Sequence, residues 1–372
     1  MLALSLTLLG LLAFTYVGYA IVIGVLARVA SGGRQLPPAD DASLPTVSVC
    51  LPVCDAAAQL RPKIDSLLAQ DYPADKIEIV IYCDGCKDDS EAVARAIAAE
   101  PASAGRIRVI AETRRLGKPS GINAVAAAAT GEMLLLNDVR QALSPRTVRA
   151  MVGTLADPKI GFATGELMVP GSGGVGLYWR YERWIRWQES RFRGIPGITG
   201  ALAMMRRAEF TPLPPDVILD DVWMPMKMAL AGKRAHMTAD AQAYETAFED
   251  DKEFRRKART LTGNYQLFAM LPGLLVPFVN PIWFETFSHK ILRLLAPWMM
   301  VGLLALTVAG FASEGGWLWT ALLAAQLAFY VAAAAGRFAG PIGRLSRTFV
   351  VMNAAAVVGL ARFLRGRQRV TW

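Results

Sequence analysis

The sequence predicts an α/β domain on a mostly parallel sheet, flanked by transmembrane helices on its N-terminal and C-terminal sides. Three observations carry this reading. Residues 1–27 hold no charged side chain, residues 294–336 hold only Glu314, and across residues 45–260 short apolar runs alternate with helical patterns. Of the 372 residues, 53% are apolar and 19% charged, against about 25% charged in an ordinary soluble domain. Mean hydropathy is +0.32. A disordered chain, a coiled coil, a collagen and a small disulfide scaffold are thereby excluded. The net charge of +9 suits an anionic membrane face, a phosphate-bearing ligand or nucleic acid, and the placement of the charges decides among them.

The first uncharged run exceeds the roughly 20 apolar residues that a spanning helix needs. It lacks the basic start of a cleaved leader, and Arg28 and Arg34 follow it. The expectation is a retained anchor over residues 1–29, with its basic flank inside. Residues 294–313 and 315–336 read as a helical hairpin, which puts Arg337, Arg344 and Arg347 inside as well. Residues 348–361 are short for a span, so span and interfacial helix both stay open, and the C-terminal membrane region (291–363) has two or three helices. Residues 260–284 are uncharged too, but Pro272, Pro277 and Pro281 interrupt them, which fits an interfacial segment over 263–290. Between the apolar parts, residues 45–262 form one sizeable domain.

Within that domain, residues 47–53, 77–83, 107–111 and 133–137 read as buried strands. Residues 56–70, 90–100 and 121–129 read as helices between them, and 171–174 (Gly-Ser-Gly-Gly) as a flexible loop. Such alternation gives a mostly parallel sheet, whose ligand site lies beyond the carboxyl ends of its strands. Those ends are acidic: Asp55 after the first strand, Asp84 and Asp88 after the second, Asp138 after the fourth. No Gly-x-Gly-x-x-Gly follows the first strand and no Walker lysine motif occurs, which argues against a dinucleotide oxidoreductase and a P-loop ATPase.

Several short motifs follow one another along the block: Val47-Ser-Val-Cys-Leu-Pro-Val-Cys-Asp55, Ser66-Leu-Leu-Ala-Gln-Asp-Tyr-Pro73, Asp84-Gly-Cys-Lys-Asp88 and Gly117-Lys118-Pro-Ser-Gly-Ile-Asn123. Gly131-Glu132, Asp138-Val-Arg140, Thr199-Gly200, Arg206-Arg207 and Asp220-Asp221 complete the series. In that order the block resembles family 2 glycosyltransferases. With its flanking spans it resembles the membrane-integrated, synthase-like branch related to bacterial polysaccharide synthases. The resemblance implies a Rossmann-like GT-A fold and inverting transfer of a sugar from a nucleotide sugar to a glycan or lipid-linked acceptor in cell-envelope synthesis. It implies Asp221 as catalytic base with Asp220 beside it. It also implies Asp84 at the nucleobase, and Asp55, Asp88, Lys118, Asn123, Asp138 and Arg140 around the nucleotide sugar. Thr199, Gly200, Arg256 and Arg259 would serve the acceptor or the diphosphate. A divalent cation, Mg²⁺ or Mn²⁺, would sit on Asp138. Because nucleotide sugars are cytoplasmic, the domain would face inward from a bacterial plasma membrane, among membrane lipids and accessory subunits.

The chemistry asks for the same residue types. A sugar hydroxyl is a poor nucleophile and needs a carboxylate to take its proton. A departing nucleoside diphosphate needs a cation to offset its growing charge; Asp138, Arg140 and Arg259 are candidates around that task. A plain helix N-cap is the bland alternative for Asp220-Asp221.

Two departures matter. Arg140 stands where the Asp-x-Asp motif has its second acid, and a guanidinium cannot ligate a cation. Arg140 pairs with the diphosphate, or is a solvated arginine leaving Asp138 alone for the metal, or marks a non-catalytic partner subunit. In place of the branch's Gln-x-x-Arg-Trp, residues 256–260 keep only Arg259, so a polyprenyl-phosphate monosaccharide transferase is an alternative to a polymer synthase. A basic helix on anionic lipid is the other reading of that stretch. Cys50, Cys54, Cys83 and Cys86 cluster along two strands, but by the resemblance Cys54, Cys83 and Cys86 replace small or polar loop residues and Cys50 lies inside a strand as a core residue, so a zinc site is disfavoured. Residues 178–193 interleave aromatics with arginines, which fits an acceptor groove or membrane face better than nucleic acid. His289 reads as an interfacial anchor.

Overall fold

The computed structural model describes residues 1–30, 41–103, 105–168, 175–245 and 253–366. Arg34, Arg367, Arg369 and the 171–174 loop lie outside these. Two compact units emerge: residues 27–245 with 270–282, and residues 1–26 with 253–269 and 283–366.

The first unit is an α/β layer structure on one eight-stranded sheet. Its strands are β1 (Val47–Val53), β2 (Ile77–Asp84), β3 (Ile107–Glu112), β4 (Met133–Asn137), β5 (Ala142–Leu143), β6 (Ile160–Met168), β7 (Leu202–Arg206) and β8 (Arg234–Tyr244). Their order is β3-β2-β1-β4-β7-β6-β8-β5. β3, β2, β1 and β4 run parallel, with Cys50 of β1 opposite Val80 and Leu136. β7 lies antiparallel to both β4 and β6, while β6 pairs parallel with β8. The strand order turns back at β1, so the carboxyl ends of β1 and β4 border one crevice.

The first four strands match the sequence reading; β1, β2 and β4 are apolar runs buried on both faces, while the edge strand β3 is only partly buried. All seven residues of β1 are buried, as a parallel strand covered by helices on both sides requires. The helix Ala57–Leu68 covers one face with Leu60, Ile64 and Leu67, each at most 1% exposed. Their i, i+4, i+7 spacing makes one stripe, and each such side chain contributes about 1.5–3 kcal/mol by leaving water. The remaining strands were not foreseen: β7 (LAMMR) is a buried apolar run of only four residues, β6 is broken by two glycines, and β8 (RAHMTADAQAY) is small and polar and buries residues irregularly.

Lys63 lies on that same helix. It is 1% exposed and donates from Nζ to the Gln141 carbonyl at 2.6 Å. It thereby supports the loop after β4 from beneath. Burial pushes its ammonium down to about 7, against a weaker opposing pull from Asp138.

The second unit consists of apolar helices. Leu2–Val29, Trp283–Ser313 and Trp317–Leu364 are long and apolar enough to cross a membrane. A 3-10 turn, Gly336–Ala339, divides the last into Trp317–Ala335 and Gly340–Leu364. The short run at 348–361 therefore belongs to a 25-residue helix. Polar groups in these helices find partners within the unit, as an apolar solvent demands: Gln326 Nε2 donates to Thr307 Oγ1 at 2.8 Å and Trp319 Nε1 to Glu314 Oε2 at 2.9 Å.

The break between units differs from the expected boundary at 262. The helix Glu253–Met270 runs through that position, and its residues through 269 group with the apolar helices. The 263–290 stretch is accordingly several elements. It finishes that helix, makes a 3-10 turn at Pro272–Leu275, and begins the next helix at Trp283. Pro272 is the physical reason, since the residue before a proline disfavours helical backbone.

The stability of the α/β unit is expected to rise with pH between about 7 and 10. Over that window the unfolded chain keeps the Lys63 proton that the folded state has lost, at up to about 1.4 kcal/mol per pH unit. Thermal unfolding of the full chain in detergent checks this, and Lys63→Met is expected to remove the rise.

Candidate active site

The end of β4, the start of the helix Lys118–Ala128 and the start of the helix Asp220–Leu230 converge on one ammonium. Lys118 Nζ lies 3.0 Å from Asp138 Oδ1 and 3.1 Å from Asp220 Oδ2. The three side chains are 17%, 20% and 12% exposed. Burial alone would lower the lysine's pKa. Attraction by Asp138, then Asp220 and Asp221, outweighs burial and holds it well above the usual lysine range. Pro119 at the start of the Lys118 helix presets the helical backbone there without wasting an amide.

Asp220 and Asp221 open their helix, where negative charge suits the helix dipole. Neither is its cap: the N-cap is Leu219, with no side-chain capping bond. Pro225 sits four residues beyond Asp221 and has no amide to give the Asp221 carbonyl. Ile198 fills the vacancy, its N–H donating to Asp221 O at 2.9 Å. That bond draws the Thr199-Gly200 turn against the acids. A Cβ built on Gly200 would lie 3.3 Å from Asp221 Cβ and 3.4 Å from its Oδ2, so the missing side chain is what lets Asp221 approach the turn. Thr199 donates from N to Thr164 Oγ1 and from Oγ1 to the Gly165 carbonyl, both at 2.9 Å.

Two residues the sequence reading did not single out belong here. Arg186, on the helix Val175–Phe192, donates to Thr199 Oγ1 at 3.2 Å. Burial lowers its pKa, while Glu189 and then Asp221 act in the opposite sense. Glu166 of β6 accepts from Trp187 Nε1 and lies 3.7 Å from Arg183. That helix therefore turns part of its polar face toward the sheet. Only the arginine-aromatic interleaving signalled it, without telling which arginine points in.

The other expected residues hold loops. Asp84 is 0% exposed and accepts from the amides of Leu116 at 2.7 Å and Gly117 at 2.9 Å. Its carboxylate oxygens are engaged by the loop that leads into Lys118. Gly85 beside it takes φ +54°, and a Cβ there would meet the Arg114 carbonyl carbon at 2.7 Å, so this turn requires glycine. Asp55 accepts from Lys87 N at 2.7 Å and pairs with Arg115; these bonds hold its carboxyl below the usual range. Asp88 accepts from Ala57 N and Ser90 N, each at 3.0 Å. Asn123 is a two-handed clamp on one residue: its Nδ2 donates to Leu213 O and its Oδ1 accepts from Leu213 N, both at 2.8 Å. Arg140 projects outward, 56% exposed and 3.8 Å from Glu245. Arg256 and Arg259 lie on the helix Glu253–Met270, in the other unit.

The four cysteines are free. Burial pushes Cys54 up to about 11 and Cys83 up to about 12, so both are thiols rather than thiolates at neutral pH. Among the described residues, one set of three ligand-type side chains converges, Asp55, Cys86 and Asp88. Its carboxylates are the ones already bonded to loop amides and Arg115. At the end of β4 the acids converge on an ammonium, and Arg140 occupies the place of a further acid. These residues do not fit a divalent cation there.

In Pro225→Ala, the new amide is expected to bond Asp221 O and displace Ile198. A hydrogen bond worth about 1 kcal/mol corresponds to roughly five- to tenfold faster hydrogen exchange at the Ile198 amide, with helix stability unchanged or raised. Exchange mass spectrometry checks both.

Comparison with known proteins agrees with this architecture. Residues 48–210 match the family described as glycosyl transferase family 2. A mannosyltransferase from Pyrobaculum calidifontis, solved in complex with GDP-Man and Mn²⁺, superposes with a TM-score of 0.76 at 24% identity, covering 98% of this chain and all of that one. The S. aureus protein TarS in complex with UDP-GlcNAc gives a TM-score of 0.48 at 13% identity, over 87% and 92% of the two chains. The glycosyltransferase AglD of Haloferax volcanii is 29% identical over 140 residues, 37% of this chain. The chain spans only 22% of that relative's length. The α/β unit, with its Lys118 cluster and Asp220-Asp221 helix, thus has the GT-A fold, and the part of it from residue 48 to 210 is what matches glycosyl transferase family 2.

Proposed function

We infer that the chain is a membrane-embedded, inverting glycosyltransferase that moves a sugar from a nucleotide sugar to a glycan or lipid-linked acceptor in cell-envelope polysaccharide synthesis. The observation that carries this is the juxtaposition of Asp221, beside the Gly200 turn, with the Lys118 ammonium held by Asp138 and Asp220. One side of the crevice offers a base and the other a fixed cation.

The reaction uses both. The acceptor hydroxyl oxygen forms a bond to the anomeric carbon from the face opposite the leaving group. Its proton passes to an Asp221 carboxylate oxygen. The bond from the anomeric carbon to the phosphate oxygen breaks, and its electron pair leaves with the nucleoside diphosphate. Lys118 meets the charge that develops on that diphosphate. Asp84, Asp88 and Asp55 fix the loops that border the nucleotide, and Arg186 holds the Thr199-Gly200 turn against Asp221.

The three long apolar helices support membrane integration, and a domain facing the cytoplasm meets its donor there. The full-length similarity to a mannosyltransferase described in complex with GDP-Man makes GDP-mannose the first donor to try, ahead of UDP-sugars. A lipid-linked monosaccharide as product, rather than a polymer, assigns single-sugar transfer to a polyprenyl phosphate.

Purified full-length chain in lipid nanodiscs, given membrane extract as acceptor, is expected to release GDP or UDP from one donor of such a panel. Asp221→Asn is expected to cut kcat by at least about a hundredfold, at the lower end of what general-base loss costs, with donor affinity preserved. Donor binding without release in the unsubstituted protein would instead identify a non-catalytic partner subunit.

A further inference from the structure

The α/β unit carries an apolar projection that its own core does not use. At the end of the 3-10 turn Pro272–Leu275 the chain presents five consecutive exposed residues, Leu275-Val-Pro-Phe-Val279, before it turns inward at Asn280. Phe278 is fully exposed and takes φ +69°. Left-handed backbone directly after a proline is a turn position ordinarily given to glycine. A bulky aromatic residue there is strained, and such strain persists only where the surroundings enforce it. Here they do. Asn280 is buried; its N–H donates to Val276 O at 3.2 Å, its Nδ2 donates to Leu274 O at 3.1 Å, and its Oδ1 accepts from Ile282 N at 3.1 Å. Leu274 and Ile282 are buried in turn and pin the base. A Cβ built on Gly273 would lie 3.5 Å from Val279 Cγ1 and 3.6 Å from Leu230 Cδ2. The projection is thereby braced against the last residue of the helix that begins with Asp220. It is a stiff finger rather than a loose loop.

Its setting points to what covers it. Five residues separate Phe278 from Trp283, where a helix long and apolar enough to cross a membrane begins. Five residues reach at most about 18 Å, so the covalent chain keeps the tip near the start of that helix. Residues 260–284 carry no charge that lipid would have to desolvate. A cation stands at the base instead: Arg193 is exposed and donates from Nη1 to the Pro281 carbonyl at 3.5 Å. An apolar tip backed by a guanidinium suits the boundary between acyl chains and anionic headgroups.

We propose that the finger Leu275–Val279 enters the lipid surface, with the Phe278 ring at the boundary of headgroups and acyl chains and Arg193 beside lipid phosphate. Bilayer phospholipid, rather than a second copy of the chain, covers it. The interfacial expectation for 263–290 thus narrows to five residues and one arginine.

This rests on reading the apolar helices as membrane spans, so the test carries a separate site for that reading. In one full-length protein Phe278 is replaced by p-benzoylphenylalanine, an aromatic exchange at an exposed position that leaves the core untouched. In a second, the same exchange is made at Phe311, exposed on the helix Leu292–Ser313. Both are irradiated in nanodiscs of phosphatidylethanolamine and phosphatidylglycerol, with no lipid-linked acceptor present, and read by intact mass. Each is expected to gain the mass of one phospholipid. An adduct at 311 with none at 278 overturns the proposal, as does a covalent dimer as the product at 278. No adduct at 311 overturns the membrane reading itself.

Discussion

A lysine ammonium withdrawn from water must be met by anions, because leaving it unpaired costs more than most single contacts return. In this protein that requirement falls on Lys118. Asp138 comes from the end of a central strand, and Asp220 from the first turn of a helix more than 80 residues further along the chain. The charge cluster thus ties the starts of two helices to the end of β4, the strand that joins the parallel and antiparallel parts of the sheet. The remaining polar contacts of the crevice are arranged around it. Ile198 bonds the carbonyl that Pro225 leaves open, and Gly200 closes on Asp221.

The acids at the strand ends divide into two kinds. Asp138, Asp220 and Asp221 face the crevice in the neighbourhood of Lys118. Asp55, Asp84 and Asp88 spend their oxygens on backbone amides and on Arg115. The second kind is no less necessary. A turn at which glycine takes φ +54° is held in place by a carboxylate that accepts two amides, and the loop from Leu116 to Lys118 is thereby delivered in one position. The Lys118 ammonium is thereby fixed in place before any ligand arrives.

The first half of the domain was legible because parallel strands buried on both faces are written as continuous apolar runs, and β4 was located to the residue. The second half was not. β6 and β8 carry alanine, threonine, aspartate and glutamine, and their burial comes from partners far away in sequence. The ordered motifs singled out Asp138, Lys118, Asp220 and Asp221, and the structure gathers the first three into one ion-pair cluster. They did not reveal that Asn123 grips Leu213, or that Arg186 reaches Thr199. Those contacts span 90 and 13 residues, and nothing local in the chain encodes them. Lys63 was invisible for the opposite reason: a lysine in a helix normally signals a wet face, whereas here it fills a polar gap beneath the Gln141 carbonyl.

The Asn123 clamp has a consequence for how such a site can change. Asn123 belongs to the helix that begins with Lys118, and Leu213 to the segment that leads into Asp220. Base-side and cation-side elements are thus riveted a few residues behind their working ends. A change at that pair is therefore felt at both helices at once: loosening Asn123 frees the segment before Asp220 as well as the helix behind Lys118.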